Sequence, residues 1–253
     1  MTRIILSGCN GKMGQVITRL CADSENAQIV AGIDINDCID NGYPVFASAS
    51  DCDVEADVII DFSHPSVLSG ILDMAKAKKI PAVICTTGLS EEQKKLMDDT
   101  AEEVGIFFSA NMSLGINLLI ALAKKATAVL SKDFDIEIVE MHHNRKLDAP
   151  SGTALAIADA ISEDMPGSAE YMYDRHSVRR KRNKNEIGIH AVRGGTIVGK
   201  HSVIFAGQDE IIEIAHEASS REIFANGAIN AAKFMKGKPA GKYSMDDLIG
   251  AAI

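Results

Sequence analysis

The sequence predicts an α/β chain in two parts: a doubly wound parallel sheet, and a smaller α+β domain on a mostly antiparallel open sheet. Three observations carry this. Short apolar strand patterns alternate with helix patterns across residues 3–108. A glycine turn, Gly8-Cys9-Asn10-Gly11-Lys12-Met13-Gly14, joins the first strand to the first helix, which makes the parallel part Rossmann-like. From residue 187 to about 218 helix patterns stop, and strand-length runs follow one another through turns at Gly194-Gly195 and Gly207. The change of character marks a second domain.

In chain order, residues 3–7 read as a buried strand and the helix after the glycine turn runs to about Leu20. Glycines there let a backbone approach a pyrophosphate, and the helix N-terminus favours its charge. The spacing is GxxGxxG rather than GxGxxG, so a turn that merely joins strand to helix remains an open alternative. A second strand, 28–33, ends at Asp34, about twenty residues after the turn, where an acid can bond ribose hydroxyls. Ile35 follows, where an arginine would hold a 2′-phosphate; this favours NADH, with Lys12 still able to assist NADPH. Strands at 56–62, 81–85 and 106–108 alternate with helices from Pro65 to about Lys79 and from a Ser90/Gln93 capping box to about Val104. Two polar turns lie at strand ends, where ligands bind in such sheets: Thr86-Thr87-Gly88, and Ser109-Ala110-Asn111-Met112-Ser113. Ordinary turn chemistry explains them as well as a nicotinamide lining does.

Residues 114–130 read as one long helix, apolar nearly all round. The centre of the sequence comes next. Residues 134–139 alternate as a strand and residues 154–161 repeat as a helix. Between them His142, His143, Arg145 and Lys146 place four basic groups in five positions. Pro150 and Ser151 suit a first helical turn, and Gly152 lets a ligand come close to the backbone. The combination predicts an anion pocket at a helix N-terminus with proton donors beside it. A dicarboxylate held by cationic side chains, protonated as hydride arrives, fits best. A lysine Schiff base at Lys146 is a second reading. No GxSxG elbow and no HExxH pattern is present, so a serine hydrolase and a metal site are not indicated.

The remainder is plainer. Residues 175–184 are strongly basic without periodicity: a solvated loop, a nucleic-acid patch or a flap that draws in an anion. The strands at 187–193, 196–205 and 211–216 form a sheet able to pair with copies of itself. Helices at 221–235 and 245–249 close the chain. A formal net charge of −9 argues against general nucleic-acid binding. Five scattered cysteines without a CxxC fit a reducing compartment. No signal peptide or membrane-length apolar run is read, so a cytoplasmic protein without membrane or nucleic-acid partners is expected.

Residues 140–154 match in full the pattern E-x-H-H-x-x-K-x-D-x-P-S-G-T-A, and the chain thereby resembles the dihydrodipicolinate reductase family of the diaminopimelate route to lysine. Residues 8–14, 60–65, 193–201 and 218–228 extend the resemblance over almost the whole chain. It implies reduction of 4-hydroxy-tetrahydrodipicolinate by NADH or NADPH to tetrahydrodipicolinate and water, without a metal. It implies His142 as proton donor/acceptor, Lys146 as proton donor, and His143, Gly152 and Thr153 as holders of a substrate carboxylate. Gly8, Cys9, Asn10, Gly11, Lys12, Met13, Asp34, Cys85, Thr86, Thr87, Ser109, Ala110, Asn111 and Met112 would line the cofactor. Residues 1–113 with 222–253 would be the dinucleotide-binding domain, and 114–221 the substrate-binding and tetramerisation domain, with hinges near Ser113 and Arg221. The expected assembly is a homotetramer acting on a small dicarboxylate.

Three positions depart from the family pattern: Cys85 where glycine is frequent, Ile35 where some relatives have arginine, and Lys200 where an acid is frequent. A reductase of another small dicarboxylate, or a non-catalytic dinucleotide-binding regulator using residues 175–184, are the alternatives.

Overall fold

The computed structural model describes residues 1–36 and 38–251, so the last two residues of the expected 222–253 segment lie outside the described residues. In chain order the elements are β1 (Thr2–Ser7), α1 (Lys12–Ala22), β2 (Ala27–Ile33), β3 (Val45–Phe46), β4 (Val58–Asp61), α2 (Leu68–Lys78), β5 (Ala82–Ile84), α3 (Glu91–Thr100) and β6 (Gly105–Phe108). They continue with α4 (Leu114–Leu130), β7 (Asp135–His142), α5 (Gly152–Ser162), β8 (Glu170–Met172), β9 (Glu186–Arg193), β10 (Gly199–Ala206) and β11 (Ile211–Ala218). The chain closes with α6 (Glu222–Met235), β12 (Gly241–Tyr243) and α7 (Met245–Gly250). Two compact units result: Met1–Leu114 with Glu222–Ile253, and Gly115–Arg221.

The first unit holds a seven-stranded sheet in the order β12-β6-β5-β4-β1-β2-β3. Every ladder in it is parallel. Successive side chains of a strand face opposite ways, so Ile4 and Leu6 enter one core layer and Ile5 the other. The first layer packs on α1 and α6, with Ile17, Ala228 and Ala232; the second packs on α2 and α3, with Leu72 and Met97. Burying such an aliphatic side chain is worth about 1.5–3 kcal/mol. Ser90 and Gln93 form the expected capping box at the start of α3. The expected helix from Pro65 opens instead as a 3-10 turn, Pro65–Val67, before α2. Strands β3 and β12, of two and three residues, carry no periodic signal and had no expectation in the sequence.

The second unit holds a five-stranded sheet, β11-β10-β7-β9-β8. It is mixed: β10 pairs antiparallel with β11 and β7, whereas β9 runs parallel to β7 and to β8. The turn at Gly194-Gly195 therefore does not make a hairpin of β9 and β10; β7 lies between them. Ile136 and Ile138 of β7 enter a core with Ile157 and Ile161 of α5, Ile189 of β9 and Phe205 of β10. Glu140 continues that inward-facing alternation with no exposed surface. Helix α5 begins one to two residues later than expected. Ser151 is its N-cap, accepting the Ala154 N–H through its side chain, and Pro150 stays outside.

Residues 175–184 are less free than a solvated loop. Arg175 and Arg180 both donate to the buried Glu186, and Arg182 reaches Glu137 at 3.1 Å and Asp135 at 3.2 Å. Backbone and arginine donors hold the Glu186 carboxyl down to about 2. Three of the basic groups are thus spent on tying the loop to the sheet.

Candidate functional site

Each unit offers one site. In the first, β1 ends in the turn that starts α1. Gly8 has a φ of 76°, and a Cβ there would collide with the Phe62 carbonyl oxygen. A Cβ on Gly14 would collide with the Gly8 carbonyl oxygen. The turn thus needs glycine at both positions to close tightly onto the helix start. Gly11 is the N-cap of α1 and offers no side-chain cap, which leaves the first N–H groups of the helix to a ligand. Asp34 accepts from the Asn10 N–H at 2.9 Å and the Asn36 N–H at 3.0 Å, binding the turn to the end of β2. A cavity of about 600 Å³ opens here, lined among others by Gly8, Gly11, Asp34, Ile35, Phe62 and His64.

At the end of β4, Asp61 is wholly buried and its carboxyl is raised by that burial. It accepts from Thr86 Oγ1 at 2.6 Å and from the Ser63 hydroxyl, while the Ser63 N–H donates to Thr86 Oγ1 at 3.1 Å. Thr86 therefore holds two strand-end loops together. Cys9, Cys85 and Met112 are buried in the core. Of the sequence candidates, Gly8, Gly11 and Asp34 line the cavity; Cys9, Asn10, Lys12, Met13, Cys85, Thr86, Thr87 and residues 109–112 are not among its lining. Phe62 and His64 join it without having been singled out; their signal was the IDFSHP segment at a strand end.

In the second unit, strand alternation puts Glu140 and His142 on one face of β7, and register puts Arg193 of β9 opposite His142. Glu140 Oε1 accepts from Arg193 Nη2 at 2.7 Å and from the Ser151 N–H at 3.0 Å. Its Oε2 meets Arg193 Nη1 at 2.8 Å and His142 Nδ1 at 2.6 Å. Burial opposes the charge of Glu140, but these donors outweigh it and hold the carboxyl below its usual value. His201 of β10 stacks edge-on to His142, with ring centroids 5.2 Å apart, and its Nε2 lies 3.1 Å from Ser151 Oγ. Burial, then the neighbouring His142, pushes His201 down to about 4, so it is neutral near pH 7.

The connection after β7 folds back on itself: the Lys146 N–H bonds the His143 carbonyl and the Asn144 N–H the Gly195 carbonyl. Lys146 Nζ lies 2.9 Å from Asp148 Oδ1, which lowers the Asp148 carboxyl. His143 Nδ1 and Arg193 Nε are buried without a hydrogen-bond partner among the described residues. A Cβ on Gly152 would meet nothing within 4 Å, and the Gly152 N–H at the start of α5 is bonded to the Asp148 carboxylate. His142, His143, Lys146 and Gly152 thus share one strand-to-helix connection. Glu140, Arg193, Ser151 and His201 belong to it too and had no role from sequence. A charged residue at an inward position of an alternating strand was the available signal for Glu140. Arg193 and His201 begin and end the 193–201 segment that shares the resemblance, but only register brings them beside His142 and Glu140. Among the described residues no group of three or more His, Cys, Asp or Glu is placed to hold a metal. No helix among them is long and apolar enough to cross a membrane.

A doubly wound parallel sheet with a glycine-turn helix start, together with an imidazole–ammonium cluster at a second helix start, defines an NAD(P)H-dependent oxidoreductase. The family described as dihydrodipicolinate reductase, N-terminus, matches residues 2–112, and its C-terminus counterpart matches residues 115–249. The chain is 52% identical over 251 residues to the 4-hydroxy-tetrahydrodipicolinate reductase of Clostridium tetani, covering 99% of this chain and 98% of the relative. It is 53% identical over 249 residues to the protein of that name from Caldanaerobacter subterraneus subsp. tengcongensis, covering 98% of each. Among solved structures, a dipicolinate-bound dihydrodipicolinate reductase from Paenisporosarcina sp. TG-14 superposes with a TM-score of 0.82 at 26% identity, covering 96% of this chain and 97% of the other. The chain belongs to the dihydrodipicolinate reductase family.

Proposed function

We infer that this chain reduces 4-hydroxy-tetrahydrodipicolinate to tetrahydrodipicolinate in the diaminopimelate route to lysine, the reaction for which its relatives are named. A hydride and a proton enter and water leaves. The observation that carries the reading is His142, bonded through Nδ1 to the buried Glu140, with Lys146 and the start of α5, where Asp148 already holds the Gly152 N–H, in the same connection. A dianionic substrate needs cations and helix N–H groups to hold it, and its reduction needs a proton donor beside them.

In this reading His142 is the proton donor/acceptor and Lys146 a proton donor. His143, whose Nδ1 is unpartnered, holds a substrate carboxylate with the Gly152 N–H and Thr153. The Asp148 carboxylate beside Lys146 stands where a substrate carboxylate would compete for the ammonium. Residues 1–113 with 222–253 bind the dinucleotide and 114–221 the substrate. When bound, the reduced nicotinamide supplies the hydride. Gly8, Cys9, Asn10, Gly11, Lys12 and Met13 offer the pyrophosphate backbone N–H groups and the N-terminus of α1. Asp34 faces the ribose, and Cys85, Thr86, Thr87, Ser109, Ala110, Asn111 and Met112 belong to the cofactor side. Asp34 followed by Ile35 favours NADH, with NADPH also used. The exposed edge strand β11 suits pairing between copies in a homotetramer.

The test is oxidation of NADH and of NADPH with and without freshly condensed pyruvate and aspartate semialdehyde. Oxidation that requires both condensation partners is expected. Cofactor binding without such oxidation would leave a binding role or another substrate. A Schiff-base route through Lys146 would instead show as borohydride trapping of a keto acid on that residue.

A further inference from the structure

We propose that Glu140 and Arg193 are a buried positioning pair that fixes His142 as its Nδ1–H tautomer and leaves Nε2 as the nitrogen that exchanges a proton with substrate. The inference rests on the reading of His142 as the proton group and adds how that group is set. It starts from a count of donors. Four hydrogen-bond contacts converge on the Glu140 carboxyl: two from Arg193, one from the Ser151 N–H and one from His142 Nδ1. A guanidinium and a peptide N–H can only donate. With three such donors on it, the carboxyl is ionised and offers His142 nothing but lone pairs. His142 Nδ1 must then carry the hydrogen, which leaves Nε2 at the opposite edge of the ring, toward Gly199.

The other groups around the ring do not contest this. His201, from β10, is neutral near pH 7 and engages Ser151 Oγ through its own Nε2. His216 of β11 lies beyond it, paired in register with His201, and its value is also lowered by burial. Lys146 is on Asp148 in the connecting loop. Among the described residues only Glu140 bonds His142 Nδ1. Stability does not explain the pair, because buried ion pairs are generally replaceable by apolar side chains at little cost. A buried carboxylate that orients an imidazole suits a proton carrier: it keeps the lone pair on Nε2, which takes up the proton before giving it to substrate, whereas the other neutral tautomer leaves Nε2 unable to take one up.

Glu140→Gln changes one atom of the arrangement. Arg193 Nη2 and the Ser151 N–H claim the amide oxygen, so the amide NH2 faces His142 Nδ1 and drives the proton to Nε2, while Arg193 Nη1 loses its Glu140 acceptor. The experiment is a long-range nitrogen–proton spectrum of the full-length chain with 15N-labelled histidine, His142 being assigned by its loss in His142→Asn. The wild-type spectrum at a pH where His142 is neutral is expected to show protonated Nδ1 and a lone pair on Nε2. In Glu140→Gln the assignment reverses, and kcat falls by about 10²–10⁴-fold while KM and NADH affinity change by less than about two-fold. Wild-type His142 protonated on Nε2, or near-normal kcat in Glu140→Gln, overturns the proposal. If Glu140→Gln does not fold, the wild-type spectrum alone decides. Near-normal kcat in His142→Asn would instead sink the proton role itself, and the wild-type tautomer separates that failure from the first.

Discussion

The backbone of Gly199 lies against the working edge of His142: a Cβ built on Gly199 would sit 3.2 Å from His142 Nε2. The two residues face each other across the β7–β10 side of the sheet, where β10 begins. His142 is held from the other side by Glu140 at 2.6 Å, so its ring has little room to yield. Gly199→Ala is expected to lower kcat by roughly ten-fold with little change in NADH affinity, because small misplacements of a proton donor are costly. Gly199→Val should cost more. Equal activity of wild type and both variants, in steady-state assays, would mean that Nε2 is not the edge in use.

Lys146 bears on substrate and not on cofactor in this account. Lys146→Ala is expected to lower turnover by about 10²–10⁴-fold while NADH binding by fluorescence titration stays near wild type. Equal loss of NADH affinity would remove Lys146 from the proton-donor role. Asp148→Asn frees the ammonium from its present partner and should change KM more than kcat.

Asp34 carries two separable duties. It binds the turn through the Asn10 and Asn36 N–H groups, and in our reading it also bonds the ribose. Asp34→Ala loosens the turn for both dinucleotides, so NADPH reports that shared loss. NADH should weaken further, by about 1.5–3 kcal/mol, roughly ten-fold or more in Kd. Parallel losses for the two cofactors, measured by calorimetry, would confine Asp34 to the turn.

Acid should unfold the second unit in two stages. His201 titrates at about 4 in the fold against an ordinary 6.5. Above pH 6.5 it is neutral in both states and costs nothing. As pH falls from 6.5 to about 4 the unfolded chain takes up a proton that the fold refuses, a loss that grows to about 3 kcal/mol. Glu186 adds the second stage: its contribution is whole above pH 4.5 and is lost as pH falls toward about 2. His201→Gln should therefore flatten the dependence of Tm on pH between 6.5 and 4, leaving the share owed to His216. An unchanged slope in differential scanning calorimetry would contradict the burial of a neutral His201.

Much of this was legible in the chain, for physical reasons that also mark where legibility stops. The strand–glycine turn–helix at Gly8, the capping box at Ser90 and the polar connection at His142 are local, so spacing reveals them. Strand pairing is not local. Gly194-Gly195 reads as a hairpin turn, and only the register of the whole sheet shows β7 lying between β9 and β10. For the same reason Arg193 and His201 were invisible as neighbours of His142, although one stands opposite it and the other opposite Glu140. The basic run at 175–184 resembled a free patch because Glu137 lies on a strand remote in sequence, and because nothing local shows that Arg175 and Arg180 fold back onto Glu186, two residues beyond the run. Strands of two or three residues, such as β3 and β12, are too short to show a period at all.

The most direct test of the reductase assignment follows the hydrogen itself. The wild-type chain is given NADH deuterated at the transferable position of its nicotinamide, with freshly condensed pyruvate and aspartate semialdehyde, and the product is analysed by mass spectrometry. The account predicts tetrahydrodipicolinate carrying a single deuterium, formed in step with NADH oxidation and at a strongly reduced rate in Lys146→Ala. NADH consumed with an unlabelled product, or no consumption by protein that binds NADH, would contradict it.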